Sequence, residues 1–146
     1  MKWQELNWSF VEELEDEKLI EEFETFVGYT FPEDYKACVK LYNGGAPEWD
    51  TFDVKNEDIG TTDFGYLYSF NKDSEESIWD LYGFDGSDRK SRKYAKKYIA
   101  FTSTSFGDPI CFDKKSNHII FVDHETLKVE KLAKSFSEFM EMLYED

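Results

Sequence analysis

Apolar residues between positions 31 and 45 recur at helical spacing, and this stretch is the most sharply delimited pattern in the chain. Pro32 suits the first helical position, where no backbone donor is needed. Asn43-Gly44-Gly45 favours the left-handed conformation that ends many helices. The residues that fall at i, i+3, i+4 and i+7 on one face are Tyr35, Cys38, Val39 and Tyr42. The pattern predicts a helix from Pro32 to Leu41 that anchors other elements.

The preceding segment has a second helical pattern. Its apolar positions are Leu19, Ile20, Phe23, Phe26 and Val27, and glutamates occupy the opposite face. Gly28 is expected to end this helix. Farther upstream the spacing fits a helix only loosely, but the apolar residues are numerous enough to pack: Trp3, Leu6, Trp8, Phe10, Val11 and Leu14.

Between Ala46 and Asp88 the runs of apolar residues are short and scattered, and glycines interrupt them. Alternating and β-prone residues predict one strand near Thr51 to Val54 and another near Tyr66 to Phe70. A helix is predicted from about Ser74 to Tyr82, begun by Asp73 or Ser74 as its cap. This segment therefore predicts a loop-rich lobe between two more regular halves of the chain.

From Tyr98 onward the pattern becomes that of strands. The segments 98–104, 110–113 and 129–132 have short apolar runs separated by turn residues. The continuous run Ile119 to Val122 predicts a strand buried on both faces at the middle of the sheet. Ser135 and Glu138 form a capping-box pattern before a final helix with Phe136, Phe139, Met140 and Leu143 on its buried face.

This order of elements predicts an α+β fold with a mainly antiparallel sheet. The N-terminal helices and the C-terminal helix are expected to pack on that sheet. A length of 146 residues suits a single domain, 1–146, with a substantial core. Fourteen Phe, nine Tyr and four Trp predict that this core is strongly aromatic.

The charge of the chain narrows the class of partner. Thirty-two acidic and 17 basic residues give a formal net charge of −15, which repels nucleic acid and anionic membranes and attracts cationic proteins. We therefore expect no direct nucleic-acid ligand and no membrane association. The N-terminus lacks the pattern of a secretory signal, and Cys38 and Cys111 lie in apolar segments, which favours buried thiols in the cytoplasm.

The segment from Ala46 to Asp88 combines twelve acidic residues with several aromatic ones and only two lysines, Lys55 and Lys72. Aromatic anchors within a charged rim are typical of protein-binding surfaces. The predicted partner-binding residues are Trp49, Asp50, Asp53, Glu57, Asp58, Asp63, Tyr66, Tyr68, Glu76, Trp79 and Asp80. A solvated face is the alternative interpretation. The basic stretch Arg89 to Lys97 is expected to be an exposed helix or loop that balances this lobe; a monomer is favoured, and a dimer contact there stays open.

Several patterns resemble catalytic or metal sites only superficially. His124, between Asp123 and Glu125, is better explained as the polar end of a buried strand, since His118 is the only other histidine. Asn71, Asp73 and Glu75 alternate like calcium ligands but lack the required glycine and final glutamate. We therefore predict no metal and no cofactor.

The sequence also gives no support for a catalytic serine or a catalytic pair of carboxylates. The loop with Ser103, Ser105 and Gly107 lacks a nucleophile-elbow motif, and Gly44-Gly45 does not precede a helix as a phosphate loop would. Acidic residues are so abundant that no pair is singled out for hydrolysis. The sequence therefore predicts a protein that is not an enzyme and has no catalytic residues.

Two blocks together resemble the SUKH superfamily. The first, Leu19 to Pro47, has an amphipathic helix, a glycine, the turn Phe31-Pro32-Glu33-Asp34-Tyr35 and a helix ending in Asn-Gly-Gly. The second, Ile99 to Leu143, has the ordered strands, Gly107-Asp108, and the Ser135-Phe136-x-Glu138-Phe139 helix. The middle of the chain, Ala46 to Tyr98, resembles the family only loosely.

The resemblance implies an α+β fold and a binding function. Bacterial members are immunity proteins that neutralise polymorphic or contact-dependent toxins, many of them nucleases, whereas fungal relatives regulate cell-wall assembly. We therefore expect an immunity protein whose partner is a cognate toxin, with a basic nuclease domain the favoured kind. The alternative is a non-catalytic scaffold that binds signalling or cell-wall proteins.

Overall fold

The computed structural model describes residues 2–81, 94 and 96–145. Its described elements include a 3-10 turn (Lys2–Gln4) and four α-helices: α1 (Lys18–Val27), α2 (Glu33–Tyr42), α3 (Ile78–Leu81) and α4 (Phe136–Glu141). The strands are β1 (Trp8–Ser9), β2 (Ala46–Pro47), β3 (Thr51–Asp53), β4 (Thr61–Asp63), β5 (Tyr98–Ser103), β6 (Pro109–Asp113), β7 (Ile119–Val122) and β8 (Val129–Ala133). These elements confirm the predicted α+β fold class.

The two N-terminal helices lie where their patterns predict. Helix α1 ends at Gly28, whose φ of 68° is left-handed and whose N–H bonds to the carbonyl of Glu24. Helix α2 begins one residue later than predicted, because Pro32 is extended (ψ 149°) and serves as the cap. After Tyr42 the chain turns through Gly44 at φ 73°, a conformation that glycine adopts without steric cost.

The sheet follows the order of the chain. Strands β5, β6, β7 and β8 pair antiparallel with their sequence neighbours, so β7 lies inside the sheet. All four β7 residues are buried, which confirms the prediction from its continuous apolar run. Two further pairs, β1 with β2 and β3 with β4, form small separate sheets.

The core joins α2 and α4 to this sheet. The ring centroid of Tyr35 lies 5.1 Å from that of Phe112 on β6 and 5.4 Å from that of Phe136 on α4. Ser135 caps α4 by accepting the N–H of Glu138 at 3.1 Å. Cys38 and Cys111 are buried free thiols, as the sequence predicts.

The middle segment differs from its prediction. Residues 66–70 form no strand, because their backbone N–H groups bond to separate places: Leu67 to Gly45, Tyr68 to Phe101 and Ser69 to Glu76. The predicted helix from Ser74 is described only as Ile78–Leu81, with the Ser77 hydroxyl accepting the N–H of Trp79 at 3.2 Å. Tyr82 and most of 89–97 lie outside the described residues.

Two apolar patterns near the N-terminus do not pack as expected. Phe10 is 85% exposed and Val11 is 42% exposed, while Trp3 and Leu6 are buried. Phe26 on α1 is 60% exposed although it belongs to the predicted apolar face. None of the described helices has the length and apolar character needed to cross a membrane.

Candidate partner-binding site

A groove of about 570 Å³ opens beside the end of α2, and we call it the acidic groove. It contains four carboxylates, and among its described lining residues there is no lysine, arginine or histidine. Its lining residues are Phe10, Glu12, Gly44, Ala46, Asp50, Asp63, Phe64, Gly65, Tyr66, Glu76, Ser103, Thr104, Ser105 and Gly107. Such a lining favours a cationic partner.

Neighbouring hydroxyls and amides hold the groove carboxylates in place. Asp63 accepts the backbone N–H of Ser105 at 2.8 Å and its hydroxyl at 2.6 Å. Glu12 accepts the hydroxyl of Ser74 at 2.8 Å. The hydroxyl of Tyr66 donates to Glu76, and partial burial together with this carboxylate raises the pKa of Tyr66 well above its ordinary value. The tyrosine therefore stays neutral and the carboxylates stay oriented.

Asn43 fixes one wall of the groove. This side chain is 1% exposed, and its amide donates to the carbonyl of Glu12 at 3.1 Å and to the hydroxyl of Ser69 at 2.9 Å. Its carbonyl oxygen accepts the N–H of Phe70 at 2.9 Å. The residue that follows α2 thus joins the N-terminal segment to the acidic segment 46–88.

Phe10 stands at the mouth of the groove in an unusual conformation. Its φ is 61°, which is rare for a bulky residue and costs free energy that other contacts must offset. Glu12, two residues later, donates its N–H to the carbonyl of Asn43 at 2.8 Å. The backbone is therefore held so that an aromatic ring projects into solvent beside carboxylates.

The structure brings together only part of the predicted binding set. Asp50, Asp63, Tyr66 and Glu76 line the acidic groove. Asp58 lines a neighbouring pocket instead. The remaining predicted residues lie outside the groove lining: Trp49, Asp53, Glu57, Tyr68, Trp79 and Asp80.

Two of the predicted aromatic anchors have roles within the fold. Tyr68 is 5% exposed, and burial raises its pKa to about 12, so it has little surface to offer a partner. The indole N–H of Trp79 donates to the carbonyl of Phe70 at 3.2 Å, and its ring packs against Phe23 and Phe26 of α1. The Lys72 ammonium lies 4.5 Å from the centre of that ring.

Asp53, Glu57 and Asp80 are exposed, and Trp49 is half-buried. Asp53 accepts the hydroxyl of Tyr144 at 2.6 Å and that of Thr61 at 3.1 Å, which joins β3, β4 and the C-terminal segment. Its carboxylate therefore has a structural role as well as a surface position.

The sequence pattern did not predict the exposure of Phe10, which was expected to pack, or of Phe106. Phe106 lies in the loop between β5 and β6 and is 70% exposed. A large apolar residue between Ser105 and Gly107, in a turn, is the only local signal that could have indicated it.

His124 lies where the sequence places it, at the polar end of the strand β7. Its Nδ1 is 2.6 Å from Oδ1 of Asp108, which is 4% exposed, and this contact raises the pKa of the histidine. Ligand atoms of Asp108, Asp123 and His124 lie within 4.8 Å of one another. Asp108 also accepts the Thr104 hydroxyl, and Asp123 accepts the N–H of Glu125, so these groups already serve to fix two turns.

Comparison with known protein families identifies the chain at the family level. A SUKH family model with the description SMI1-KNR4 cell-wall matches residues 17–140. The chain belongs to the SUKH family. Among curated proteins there is no significant match.

The matched range includes the first block, the acidic segment 46–88 and the second block as far as residue 140. The SUKH family fits an immunity or regulatory role and is generally non-catalytic. Membership also implies interaction with other proteins. The acidic groove is therefore the candidate protein-binding site of this SUKH protein.

Proposed function

We propose that this SUKH protein is a cytoplasmic immunity protein that binds and neutralises a cognate toxin, of which a basic nuclease domain is the favoured kind. The observation that carries the proposal is the acidic groove, in which Asp50, Asp63 and Glu76 converge beside the exposed ring of Phe10. Inhibition is stoichiometric: the bound antitoxin covers the toxin's substrate groove.

The chemistry of the groove supports a basic partner. A nuclease presents cationic side chains to phosphate, and oriented carboxylates can occupy the same cationic surface. The net charge of −15 draws such a partner toward the groove over long distances. An aromatic side chain such as Phe10, once desolvated, supplies the short-range part of the affinity.

The proposal is tested by co-expressing the chain with the toxin encoded by the adjacent gene and measuring growth. The wild-type chain is expected to restore growth. Asp50→Lys is expected to weaken rescue, whereas Glu21→Lys, an equal charge change on α1 away from the groove, leaves rescue close to wild type. If the wild-type chain does not bind and neutralise that toxin, the proposal fails.

A regulatory scaffold that binds signalling or cell-wall proteins is the second candidate, because the matched family carries the description cell-wall. Affinity purification from the native cell separates the two functions. A toxin domain retained by wild-type protein and lost with Asp50→Lys supports immunity. Retention of signalling or cell-wall proteins, with toxicity unchanged in the growth assay, supports the scaffold.

A further inference from the structure

The loop between β5 and β6 is a ridge with acidic pockets on both sides. Thr104, Ser105 and Gly107 of this loop line the acidic groove, together with Ser103 at the end of β5. Phe106, in the same loop, lines a pocket of about 600 Å³ that the turn between β7 and β8 closes on the other side. We call this second cavity the β7–β8 pocket; it is lined by Asp58, Ile59, Thr61, Phe106, Asp108 and residues 123–126.

The ridge is held firmly by hydrogen bonds at both of its ends. The N–H of Thr104 donates to the carbonyl of Asp108 at 3.0 Å, and the Thr104 hydroxyl donates to the Asp108 carboxylate at 3.1 Å. Gly107 makes the turn at φ 90°, and its N–H donates to the carbonyl of Thr104 at 3.0 Å. Phe106 is therefore preorganised, so that little backbone entropy is lost when a partner covers it.

The β7–β8 pocket has the same sign of charge as the acidic groove. Asp58 and Glu125 are exposed carboxylates at its rim, and Asp123 is half-buried. Among its described lining residues His124 is the one group that can carry positive charge, and Asp108 faces that charge at 2.6 Å. The pocket therefore complements a cationic surface rather than an anionic one.

We propose that the toxin straddles this ridge. An apolar pocket on the toxin receives Phe106, and its lysine or arginine side chains lie in both the acidic groove and the β7–β8 pocket. This inference rests on the proposed immunity function and extends the binding surface beyond the predicted segment, Ala46 to Asp88. It assigns Phe106 as the central anchor of the interface, flanked on each side by ion pairs.

The first test compares two exposed phenylalanines. Binding of the purified adjacent-gene toxin domain is measured for wild type, Phe106→Ala and the matched control Phe26→Ala, which lies on α1 outside both pockets. Phe106→Ala is expected to raise the dissociation constant by about tenfold or more, mainly through faster dissociation. Phe26→Ala is expected to change it less than about threefold.

The second test compares the same charge reversal at two exposed glutamates. Glu125→Lys places a cation in the β7–β8 pocket, and Glu21→Lys places one on α1. Both variants reduce long-range attraction, but only Glu125→Lys is expected to accelerate dissociation. Thermal unfolding of each variant establishes that it is folded before binding is measured.

The outcomes separate the two proposals. If wild type neutralises the toxin while Phe106→Ala and Glu125→Lys match their controls, the straddling interface is wrong and the immunity function stands. If wild type does not bind the toxin, the immunity function fails and this inference fails with it. Selective loss in both pocket variants supports the ridge as the centre of the interface.

Discussion

Asn43 shows how a single buried amide can position a binding surface. Its side chain contacts Glu12, Ser69 and Phe70, which lie in two segments that no described sheet joins. Hydrogen bonds of this kind contribute little net stability when they form, but leaving their buried partners unsatisfied is costly. The amide therefore stabilises the relative position of the two segments that it joins.

Asn43→Ala should lower the free energy of unfolding by roughly 1–3 kcal/mol, because buried donors and acceptors lose their partner. Urea denaturation followed by fluorescence measures this change. Asn7→Ala, at an exposed asparagine, serves as the control and should change stability by less than about 0.5 kcal/mol. Equal effects of the two substitutions would show that the Asn43 contacts do not hold the groove.

Phe10 allows stability and binding to be separated at one position. At φ 61°, alanine retains the strain that glycine removes, so Phe10→Gly should be more stable than Phe10→Ala by about 1 kcal/mol. Both variants lack the ring and should bind the toxin equally weakly. Thermal unfolding and equilibrium binding measure the two properties, and a more stable alanine variant would contradict the strained conformation.

At the scale of elements, His124 and Asp108 connect the turn after β7 to the loop before β6. The imidazole faces Asp108 at 2.6 Å and Glu125 at 3.8 Å, and Asp123 is also close enough to favour its protonated form. The hydrogen bond to Asp108 is the main cause of the raised pKa of His124. The charged pair stabilises the folded state only while the histidine is protonated.

This pair predicts a definite pH dependence. Because the folded pKa is above the unfolded value of about 6.5, the stabilisation is complete below that pH and is lost as the pH rises through the folded pKa. The stability difference between wild type and His124→Gln should therefore be largest near pH 5.5 and shrink toward pH 9. Its size should stay below about 1 kcal/mol, because the ring is 45% exposed and water screens the charge.

Denaturant unfolding at several pH values measures this stability difference. His118→Gln is the control, because His118 forms no ion pair with a carboxylate among the described residues. A wild-type advantage that is constant or grows with pH would contradict the assigned ion pair.

Elements with strong periodicity could be predicted from the sequence, whereas convergence of distant loops could not. Helix α1 and strand β7 each contain their own signal, because burial of one helix face or of both strand faces leaves a regular apolar pattern. Residues 66–70 have a strand-like composition, but their hydrogen bonds go to three separate parts of the chain. Local propensity does not determine such pairing.

The candidate site, like the fold, could be predicted only in part from the sequence. The acidity of the lobe was visible in composition, and four of its predicted residues do converge in the groove. Tyr68 could not be distinguished from an exposed tyrosine, because burial depends on contacts such as its backbone bond to Phe101. Phe10 and Phe106 reach the surface through turns whose direction the sequence pattern does not encode.

At the scale of the whole molecule, the excess of carboxylates creates a field that acts before any contact forms. Fifteen net negative charges attract a basic protein over distances of the order of the Debye length, about 10 Å at 0.1 M salt. The two acidic pockets beside the Phe106 ridge would direct this attraction to one face. Steering of this kind mainly changes the association rate, whereas Phe106 should govern dissociation.

Raising salt from about 0.05 M to 0.5 M should therefore lower the association rate constant with the toxin by roughly tenfold or more, with a smaller change in the dissociation rate. Stopped-flow mixing measures both rates. Asp50→Lys should flatten the salt dependence because it removes one charge from the groove and adds an opposing one, while Phe106→Ala should leave the slope unchanged. An association rate that does not fall with salt would exclude electrostatic steering. A changed salt dependence of the association rate in Phe106→Ala would mean that the ring and the charges do not act at separate stages of binding.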